Sequence, residues 1–258
     1  MIIVKLGGSV ITDKKRENRA RKKVIDRLVR EIKKSGKEII LVHGAGSFGH
    51  IHAKEYKLNR GFKSRNQLKG FHITHSSVRI LNQIVMSSLY NHDIFSVSLP
   101  PLSFVEMSDR KLKYIDMKCF EESISIGLTP VTFGDIVFDD ELGFSICSGD
   151  ILVLNLSRYF KPEKVIFVID EDGIFDKDPK RYKDAKLLRE IKYDDLPVAE
   201  KSIYTDVTGG MGGKIEVIKE IAKEDIDVLV VNGNKRDRLF GSLIGKKVKG
   251  TLVIGGQI

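Results

Sequence analysis

The segment HGAGSFGH, residues 43 to 50, constrains the fold of this chain more than any other. It follows a short apolar run at residues 39 to 42 and places three glycines between two histidines. This is the pattern of a buried strand that ends in a glycine loop, because glycine adopts backbone angles closed to other residues. The N–H groups of such a loop can bind an anion of phosphate size. We therefore expect an anion site here, with His50 facing the anion from the next turn.

A second glycine turn, KLGGS at residues 5 to 9, ends the first apolar run of the chain. Between the two turns, residues 22 to 34 carry apolar side chains at helical spacing, which predicts a helix. A strand, a helix and a strand with short connections form a right-handed unit whose strands are parallel. Both glycine loops should then lie at the same edge of the sheet, where ligands bind in open α/β sheets.

The rest of the chain continues to alternate between helical and strand patterns. No linker, repeat or low-complexity tract interrupts it, so one α/β domain over residues 1 to 258 is expected. Strands are predicted at residues 95–99, 129–133, 165–169, 228–232 and 251–254, with a hairpin at 136–147. Helices are predicted at residues 64–91, 116–126, from 148–150 onward, 194–199, 214–223 and 236–243.

Composition restricts the class of protein. The net charge of +9 would attract polyanions, but the basic residues are interleaved with acidic ones, which favours a solvated surface over a nucleic-acid face. No apolar run approaches the roughly 18 to 20 residues of a membrane helix, and the N-terminal MIIVKLGG is too short for a signal segment. Two cysteines, Cys119 and Cys147, form no metal or disulfide pattern. We expect a cytoplasmic protein that binds neither membrane nor nucleic acid.

Two lysines stand where a cation needs an anionic partner. Lys5 interrupts a buried strand just before Gly7 and Gly8, and a buried ammonium requires a counter-charge. Lys214 follows a glycine-rich segment at a predicted helix start, where the helix dipole favours anions. Both patterns favour contact with phosphate, although an edge-strand lysine could also extend to solvent.

Carboxylates near predicted strand and helix ends have more than one interpretation. Asp150, after Ser148 and Gly149, could cap a helix or could hold Lys5 and Lys214 in place. Asp170 and Asp172, beside Gly173, could contact a ribose, contact Mg²⁺ indirectly, or form a turn.

Among the six histidines, His50 is the strongest candidate for a functional role, because it ends a glycine loop and could donate a hydrogen bond to phosphate. His43, which precedes Gly44, is expected to be structural. The other histidines have no metal-ligand spacing, and no Ser-His-Asp or Cys-His nucleophile pattern is present. We therefore predict no metal site built from protein side chains.

Taken in order, KLGGS, HGAGSFGH, SGD, DEDGIF and DVTGGMGGK resemble the motifs of the amino acid kinase superfamily over nearly the whole chain. Within it, ITDK with Lys14 and the histidine at the end of the second loop resemble the isopentenyl phosphate kinases. The resemblance implies a three-layer αβα sandwich with an open, mainly parallel sheet. It further implies a substrate lobe at about residues 1–160, an ATP lobe at about residues 161–258, and a homodimer.

The resemblance also implies transfer of the γ-phosphoryl group of ATP, with Mg²⁺, to isopentenyl phosphate. Implied catalytic residues are Lys5, Lys14, His50, Asp150 and Lys214. Residues implied to bind the nucleotide are Lys5, Gly7, Gly8, Ser9, Gly46, Asp170, Asp172, Gly173, Phe175, Asp206, Gly210 and Lys214. Residues implied to bind the acceptor are Ala45, Gly46, Gly49, His50, Gly149, Phe71, Val78, Phe133 and Ile146. Ala45 departs from the second adjacent glycine that is common in the family, but its amide can still donate.

Three alternatives stay open at this point. Fosfomycin kinases have a similar glycine loop, but a prenyl chain needs an apolar slot, for which Phe71, Val78, Phe133 and Ile146 are the candidates. A non-catalytic nucleotide-binding protein of the same fold is the second alternative, and Lys5, Asp150 and Lys214 argue against it. A nucleic-acid binder is the third, supported by the net charge alone.

Overall fold

A computed structural model describes residues 1–197 and 210–256. Its strands are β1 Ile2–Leu6, β2 Ile39–His43, β3 Ser96–Ser98, β4 Val105–Ser108, β5 Lys111–Ile115, β6 Thr129–Phe133, β7 Asp135–Asp139, β8 Gly143–Cys147, β9 Lys164–Ile169, β10 Glu190–Lys192, β11 Asp227–Asn232 and β12 Gly250–Ile254. Its α-helices are α1 Gly8–Ile11, α2 Lys22–Ser35, α3 His50–Glu55, α4 Asn66–Asn91, α5 Lys118–Ser125, α6 Gly149–Phe160, α7 Gly210–Ala222 and α8 Arg238–Leu243.

The main sheet has eight strands in the order β10-β12-β11-β9-β1-β2-β6-β3. All neighbouring strands are parallel except β11 and β12. Strand β1 lies between β2 and β9, with Ile2 opposite both Ile39 and Lys164. The predicted parallel pairing of the first two strands is confirmed, and both glycine loops follow strand ends at one edge of the sheet.

Helices cover both faces of this sheet, which confirms the predicted αβα sandwich. Side chains alternate along β1, so Ile2, Val4 and Leu6 pack in a core with α2, α4 and α8. Ile3 packs in the opposite core with α5, α6 and α7. Each of these β1 side chains is fully buried, a gain of about 1.5 to 3 kcal/mol per side chain relative to exposure. Lys5 shares the face of Ile3 and therefore points toward α6 and α7.

A smaller sheet of four strands, in the order β5-β4-β7-β8, lies apart from the main one. Its β7–β8 hairpin was predicted, and Ile136 and Phe144 of that hairpin form a third cluster with Ala53 and Leu58 near α3. The sequence pattern did not predict β4 and β5. Both strands do alternate, with Val105 and Met107 buried in β4 and Leu112 between Lys111 and Lys113 in β5, but each alternation extends over only four or five residues.

Two predicted helices differ from the structure. The helix expected at 194–199 is a single 3₁₀ turn at Tyr193–Asp195, and residues 198 and 199 lie outside the described part. Helix α7 begins at Gly210 and not at Lys214, so Lys214 lies in its second turn. Within residues 1–197 and 210–256, no helix is both long enough and apolar enough to cross a membrane.

Candidate active site

The two glycine loops touch each other through their backbones at the carboxyl edge of the sheet. A Cβ atom added to Gly8 would lie 2.5 Å from the Gly46 nitrogen, and one added to Gly44 would lie 2.6 Å from the Gly8 nitrogen. Such distances are shorter than any van der Waals contact, so side chains at these positions would push the loops apart. Gly46 also has φ of +52°, a conformation that favours glycine.

Thr12 fastens the two loops to each other. Its hydroxyl donates to the Gly8 carbonyl at 2.7 Å and accepts from the Ser47 N–H at 3.0 Å. The Thr12 side chain is almost fully buried, so these bonds are shielded from water. Sequence reasoning missed Thr12, because a threonine after a glycine turn has no motif of its own.

A buried group of three charges lies beside the loops. Asp150 accepts from the Lys5 ammonium and also from the Lys214 ammonium, at 3.2 Å to Oδ1 and 3.1 Å to Oδ2. The side chains of Lys5, Asp150 and Lys214 are 6%, 11% and 15% exposed. The single negative charge of Asp150 is shared between two ammonium groups. The three side chains together can therefore attract an additional anion.

The surroundings alter the proton affinities of this group. Burial lowers the pKa of Lys5 to about 7, although the Asp150 carboxylate opposes that shift. Burial alone would raise the pKa of Asp150, but the ammonium groups of Lys5 and Lys214 outweigh it and hold that pKa well below its usual range. Asp150 is therefore ionised at neutral pH, and Lys5 gains a proton more readily when an anion approaches.

The start of α6 positions Asp150. Ser148 has an extended backbone and its hydroxyl accepts from the Ile151 N–H at 3.2 Å, which makes it the N-cap. Asp150 lies in the first turn, where the helix dipole favours a negative charge. The cap expected at Asp150 is thus provided by Ser148, and the Asp150 carboxylate is left for the lysines.

A second polar group lies at the outer rim, after β9. Asp170 accepts from the Ser9 hydroxyl and from the Lys14 ammonium, each at 2.8 Å. Beside it, the Lys180 ammonium lies 2.9 Å from the Glu171 carboxylate. The structure thus joins the first glycine turn to the acidic turn that follows β9, and it adds Lys180, which the sequence did not single out.

These groups surround one cleft of about 420 Å³. Most residues that the sequence singled out for the site line it together. They are Lys5, Gly7, Gly8, Ser9, Lys14, Ala45, Gly46, Gly49, His50, Val78, Ile146, Gly149, Asp150, Asp170 and Lys214.

Two aromatic residues expected in the apolar slot do not line this cleft. Phe133 is fully buried behind the second glycine loop, where its ring stacks on His43 with centroids 5.1 Å apart. Phe71 packs against Phe138 and Phe144 of the small sheet. A helical pattern identified Phe71 and a strand pattern identified Phe133 as apolar positions, but neither pattern distinguishes the wall of a cleft from the core behind it.

The residues expected on the nucleotide side lie further along the carboxyl edge. Asp172 pairs with Lys249 at 2.6 Å and accepts from Asn232 at 3.0 Å. Gly173 lies against Thr251, and Phe175 forms an antiparallel bridge with Leu187. Gly210 is the first residue of α7, and Asp206 lies outside the described residues. Asp172, Gly173 and Phe175 lie beyond the lining of the cleft described above.

The buried acid Asp135 lines the same cleft and is paired with His75, which is not among the lining residues. The His75 ring nitrogen Nδ1 lies 2.8 Å from Asp135 Oδ2, and Asp135 Oδ1 accepts from the Ile136 N–H. Burial raises the pKa of Asp135, although the bond to His75 opposes that shift. The pair joins α4 to β7 across 60 positions of sequence, a separation at which no local pattern could have revealed it.

The described residues contain no group of three histidine, cysteine or acidic side chains able to hold a metal ion. Mg²⁺ commonly binds through one or two carboxylates, water and substrate phosphates, without an all-protein cage. Asp170 lines the cleft and is an oxygen donor of this kind, whereas both oxygens of Asp150 already accept from the lysine ammonium groups. The donor set therefore fits an Mg²⁺ ion that enters with a nucleotide.

Comparison with known proteins adds three findings. The profile of the amino acid kinase family matches residues 1–232. The chain is 36% identical to isopentenyl phosphate kinase of Methanothermobacter thermautotrophicus over 99% of both chains, and 34% identical to that of Thermoplasma acidophilum over 98% of this chain and 100% of the relative. A solved isopentenyl phosphate kinase substrate complex superposes with a TM-score of 0.84 at 32% identity, over 98% of this chain and 100% of the other.

Proposed function

This chain belongs to the amino acid kinase family and, within it, to the isopentenyl phosphate kinases, and from that premise we propose how its cleft works. The reaction is phosphorylation of isopentenyl phosphate by ATP, which gives isopentenyl diphosphate and ADP. The single observation that carries the proposal is the buried Lys5–Asp150–Lys214 group beside two joined glycine loops. The enzyme is a phosphotransferase with a phosphate group as acceptor.

The second glycine loop binds the acceptor phosphate. Ala45 and Gly46 line the cleft, and in the described part of the chain neither N–H donates to any of the backbone hydrogen bonds of the turns and loops. His50 lines the cleft at the start of α3 and provides a side-chain donor on the same side. Charge-assisted bonds from these groups hold a phosphate dianion and fix the direction of its oxygens.

The buried cations stabilise the charge that develops during transfer. An oxygen of the acceptor phosphate attacks the γ-phosphorus of ATP while the bond from that phosphorus to the β,γ-bridging oxygen breaks, and ADP leaves with the bond's electrons. Two phosphate anions must approach each other in this step. The ammonium groups of Lys5 and Lys214 lie where they neutralise the negative charge of both phosphates. Lys14, held by Asp170 at the rim, neutralises the outer oxygens of the moving group.

No general base is required for this step. The acceptor oxygen belongs to a phosphate that is already ionised near neutral pH, so it attacks without losing a proton first. The chain's contribution is positioning and electrostatics, which together supply most of the catalysis in phosphoryl transfer. Mg²⁺ bound with ATP would add further neutralisation of the nucleotide phosphates, and Asp170 is the carboxylate that would hold it.

The prenyl chain lies in the apolar part of the cleft. Val78 of α4 and Ile146 of β8 line it together with Ile51 and Ile136. A five-carbon chain buried there gains about 0.8 kcal/mol for each CH₂ group that leaves water. A compact phosphonate such as fosfomycin would leave this slot unused.

The proposal extends to the two lobes of the domain, to the cellular location and to the oligomeric state. The acceptor lobe is placed at about residues 1–160 and the nucleotide lobe at about residues 161–258, where Asp172, Gly173, Phe175, Asp206 and Gly210 contact ATP. The enzyme works in the cytoplasm as a homodimer. Large exposed side chains on and just after α4, Ile80, Tyr90 and Phe95, are 58%, 72% and 64% exposed and offer an apolar surface for a second copy. Light scattering on the purified chain measures the oligomeric state.

A substrate panel tests the proposed function. ADP release is measured with isopentenyl phosphate, dimethylallyl phosphate, geranyl phosphate and fosfomycin, and ³¹P NMR identifies the product. We expect isopentenyl phosphate to give the highest kcat/KM and a diphosphate product. Fast turnover of fosfomycin alone would identify the related kinase, and ATP binding without turnover of any acceptor would identify a non-catalytic nucleotide-binding protein. Lys37→Ala, at an exposed position outside the cleft, serves as the matched control.

A further inference from the structure

The fully buried His43 ring makes two polar contacts behind the second glycine loop. Its Nδ1 lies 3.1 Å from the carbonyl oxygen of the next residue, Gly44, and its Nε2 lies 3.2 Å from the amide nitrogen of Asn82. Asn82 in turn accepts from the Ser98 hydroxyl at 2.6 Å. The chain of contacts thus runs from the edge strand β3 through α4 to the loop that faces the cleft.

These contacts determine where the ring carries its proton. The Gly44 carbonyl can only accept, so the nitrogen beside it, Nδ1, must carry a hydrogen. Burial lowers the pKa of His43 to about 4, so the ring is neutral at physiological pH and its other nitrogen is bare. Bare Nε2 needs a donor, and the Asn82 amide supplies it. In the series from Ser98 through Asn82 and His43 to Gly44, each group therefore donates to the next, and the series ends at the Gly44 carbonyl.

The peptide bond between Gly44 and Ala45 connects the Gly44 carbonyl to an N–H group on the cleft side. No cis peptide occurs in the described chain, so the Gly44 carbonyl and the Ala45 N–H point to opposite sides of one planar unit. His43 holds the carbonyl from the buried side. The N–H on the far side of the same plane belongs to Ala45, which lines the cleft.

We infer that His43 is a positioning residue that turns the Ala45 N–H toward the acceptor phosphate by fixing the Gly44 carbonyl. The inference rests on the proposed function, because it assigns the ligand of that amide as the phosphate of isopentenyl phosphate. Gly44 provides no side chain to restrain the peptide, and Gly46 on the other side has a left-handed conformation. Without the ring nitrogen, this peptide unit can rotate and the donor is lost from the phosphate site.

Binding measurements on three variants test the inference. His43→Phe keeps a ring that can stack on Phe133 but removes both nitrogens, whereas His43→Gln keeps a donor and an acceptor. The control is Thr132→Val, a neighbouring β6 position whose buried hydroxyl has no partner among the described residues. In calorimetry, we expect His43→Phe to raise the Kd for isopentenyl phosphate about tenfold or more. This is the effect of losing one charge-assisted hydrogen bond. ATP binding should change less than twofold, His43→Gln should regain most of the loss, and Thr132→Val should resemble the wild type.

Other outcomes separate this inference from the proposed function. Equal weakening of ATP and acceptor binding in His43→Phe, or an unchanged acceptor Kd, overturns the positioning role. If His43→Phe does not fold, ¹⁵N NMR of the wild-type ring decides, because a proton on Nε2 and not on Nδ1 overturns the inference, and the reverse supports it. Wild-type protein that binds isopentenyl phosphate but transfers nothing refutes the proposed function, while the His43 binding comparison keeps its meaning.

Discussion

Lys5 and Lys214 approach the same aromatic ring, that of Phe167, with their ammonium nitrogens 5.7 and 5.6 Å from its centroid. They also share one carboxylate, Asp150, so two cations from opposite ends of the chain are held as a single unit. The ring is attractive to cations and excludes water from below them. Both lysines line the cleft, so a phosphate that enters it meets the two charges together.

The first prediction follows from this arrangement. Lys5→Ala and Lys214→Ala should each lower kcat by about 10² to 10³, because the charge that we propose they stabilise is greatest in the transition state. The KM values should rise much less. Steady-state kinetics with both substrates provide the measurement, and the exposed Lys37→Ala is the control. Near-normal kcat in both variants would remove these lysines from the mechanism.

The second prediction concerns pH. Because burial lowers the pKa of Lys5 to about 7, the fraction of free enzyme with a charged Lys5 falls as the pH rises through this value. The kcat/KM profile, which reports free enzyme, should therefore decline on its alkaline side. Bound phosphates favour the ammonium form, so the decline in kcat should lie at higher pH.

Lys5→Arg provides the control for this profile, because a guanidinium stays charged throughout the range. Whatever activity that variant retains should show no alkaline decline of this origin. A wild-type kcat/KM that stays flat up to pH 9 would show that Lys5 remains charged in the free enzyme.

The third prediction concerns His50. In the proposed mechanism His50 donates to the acceptor phosphate, so His50→Ala should cost about 1.5 to 3 kcal/mol, the worth of a charge-assisted bond. The KM for isopentenyl phosphate should rise while that for ATP changes little, and His50→Gln should retain much more activity than His50→Ala. Equal losses for both substrates would indicate that His50 holds the loop together, and an inactive His50→Gln would indicate a proton-transfer or imidazolium role.

The fourth prediction concerns the prenyl chain. Ile146→Ala and Val78→Ala enlarge the apolar part of the cleft, so use of geranyl phosphate should improve relative to isopentenyl phosphate. Each CH₂ group that gains room is worth up to about 0.8 kcal/mol. Phe71→Ala is the matched control, because Phe71 packs against the small sheet and should leave the chain-length preference unchanged. A change with Phe71→Ala alone would place the prenyl chain nearer the small sheet, beside Phe71.

The fifth prediction concerns the contact between the loops. Gly8→Ala places a Cβ atom 2.5 Å from the Gly46 nitrogen, and only backbone movement can relieve the overlap. Thermal unfolding should show a loss of about 2 kcal/mol or more, and acceptor binding should fall with it. Gly127→Ala is the comparison, since a Cβ there meets nothing within 4 Å and its cost arises from the backbone angle alone. Equal stability losses would mean that the loops move apart freely.

Local sequence patterns predicted most of the sheet and the glycine loops, because apolar runs and glycine turns are properties of neighbouring residues. They could not predict that Asp135 would meet His75, or that Thr12 would join the loops, since these contacts depend on how distant segments pack. The predicted start of α7 was wrong, because residues 210–213, with three glycines, have a low intrinsic helix propensity and therefore predict a loop. The wall of the slot was partly wrong for a related reason: apolar spacing identifies a buried face but not which buried residues border a cleft.

The two hydrogen bonds of the Thr12 hydroxyl, which join the glycine loops, also affect how substrates enter the cleft. Two loops that touch backbone to backbone, with a shared hydroxyl between them, move together as one stiff piece. That wall of the cleft is shaped before any ligand arrives, so little ordering entropy is spent there when the acceptor binds. Any opening and closing of the cleft during the catalytic cycle then falls to the elements that face this wall.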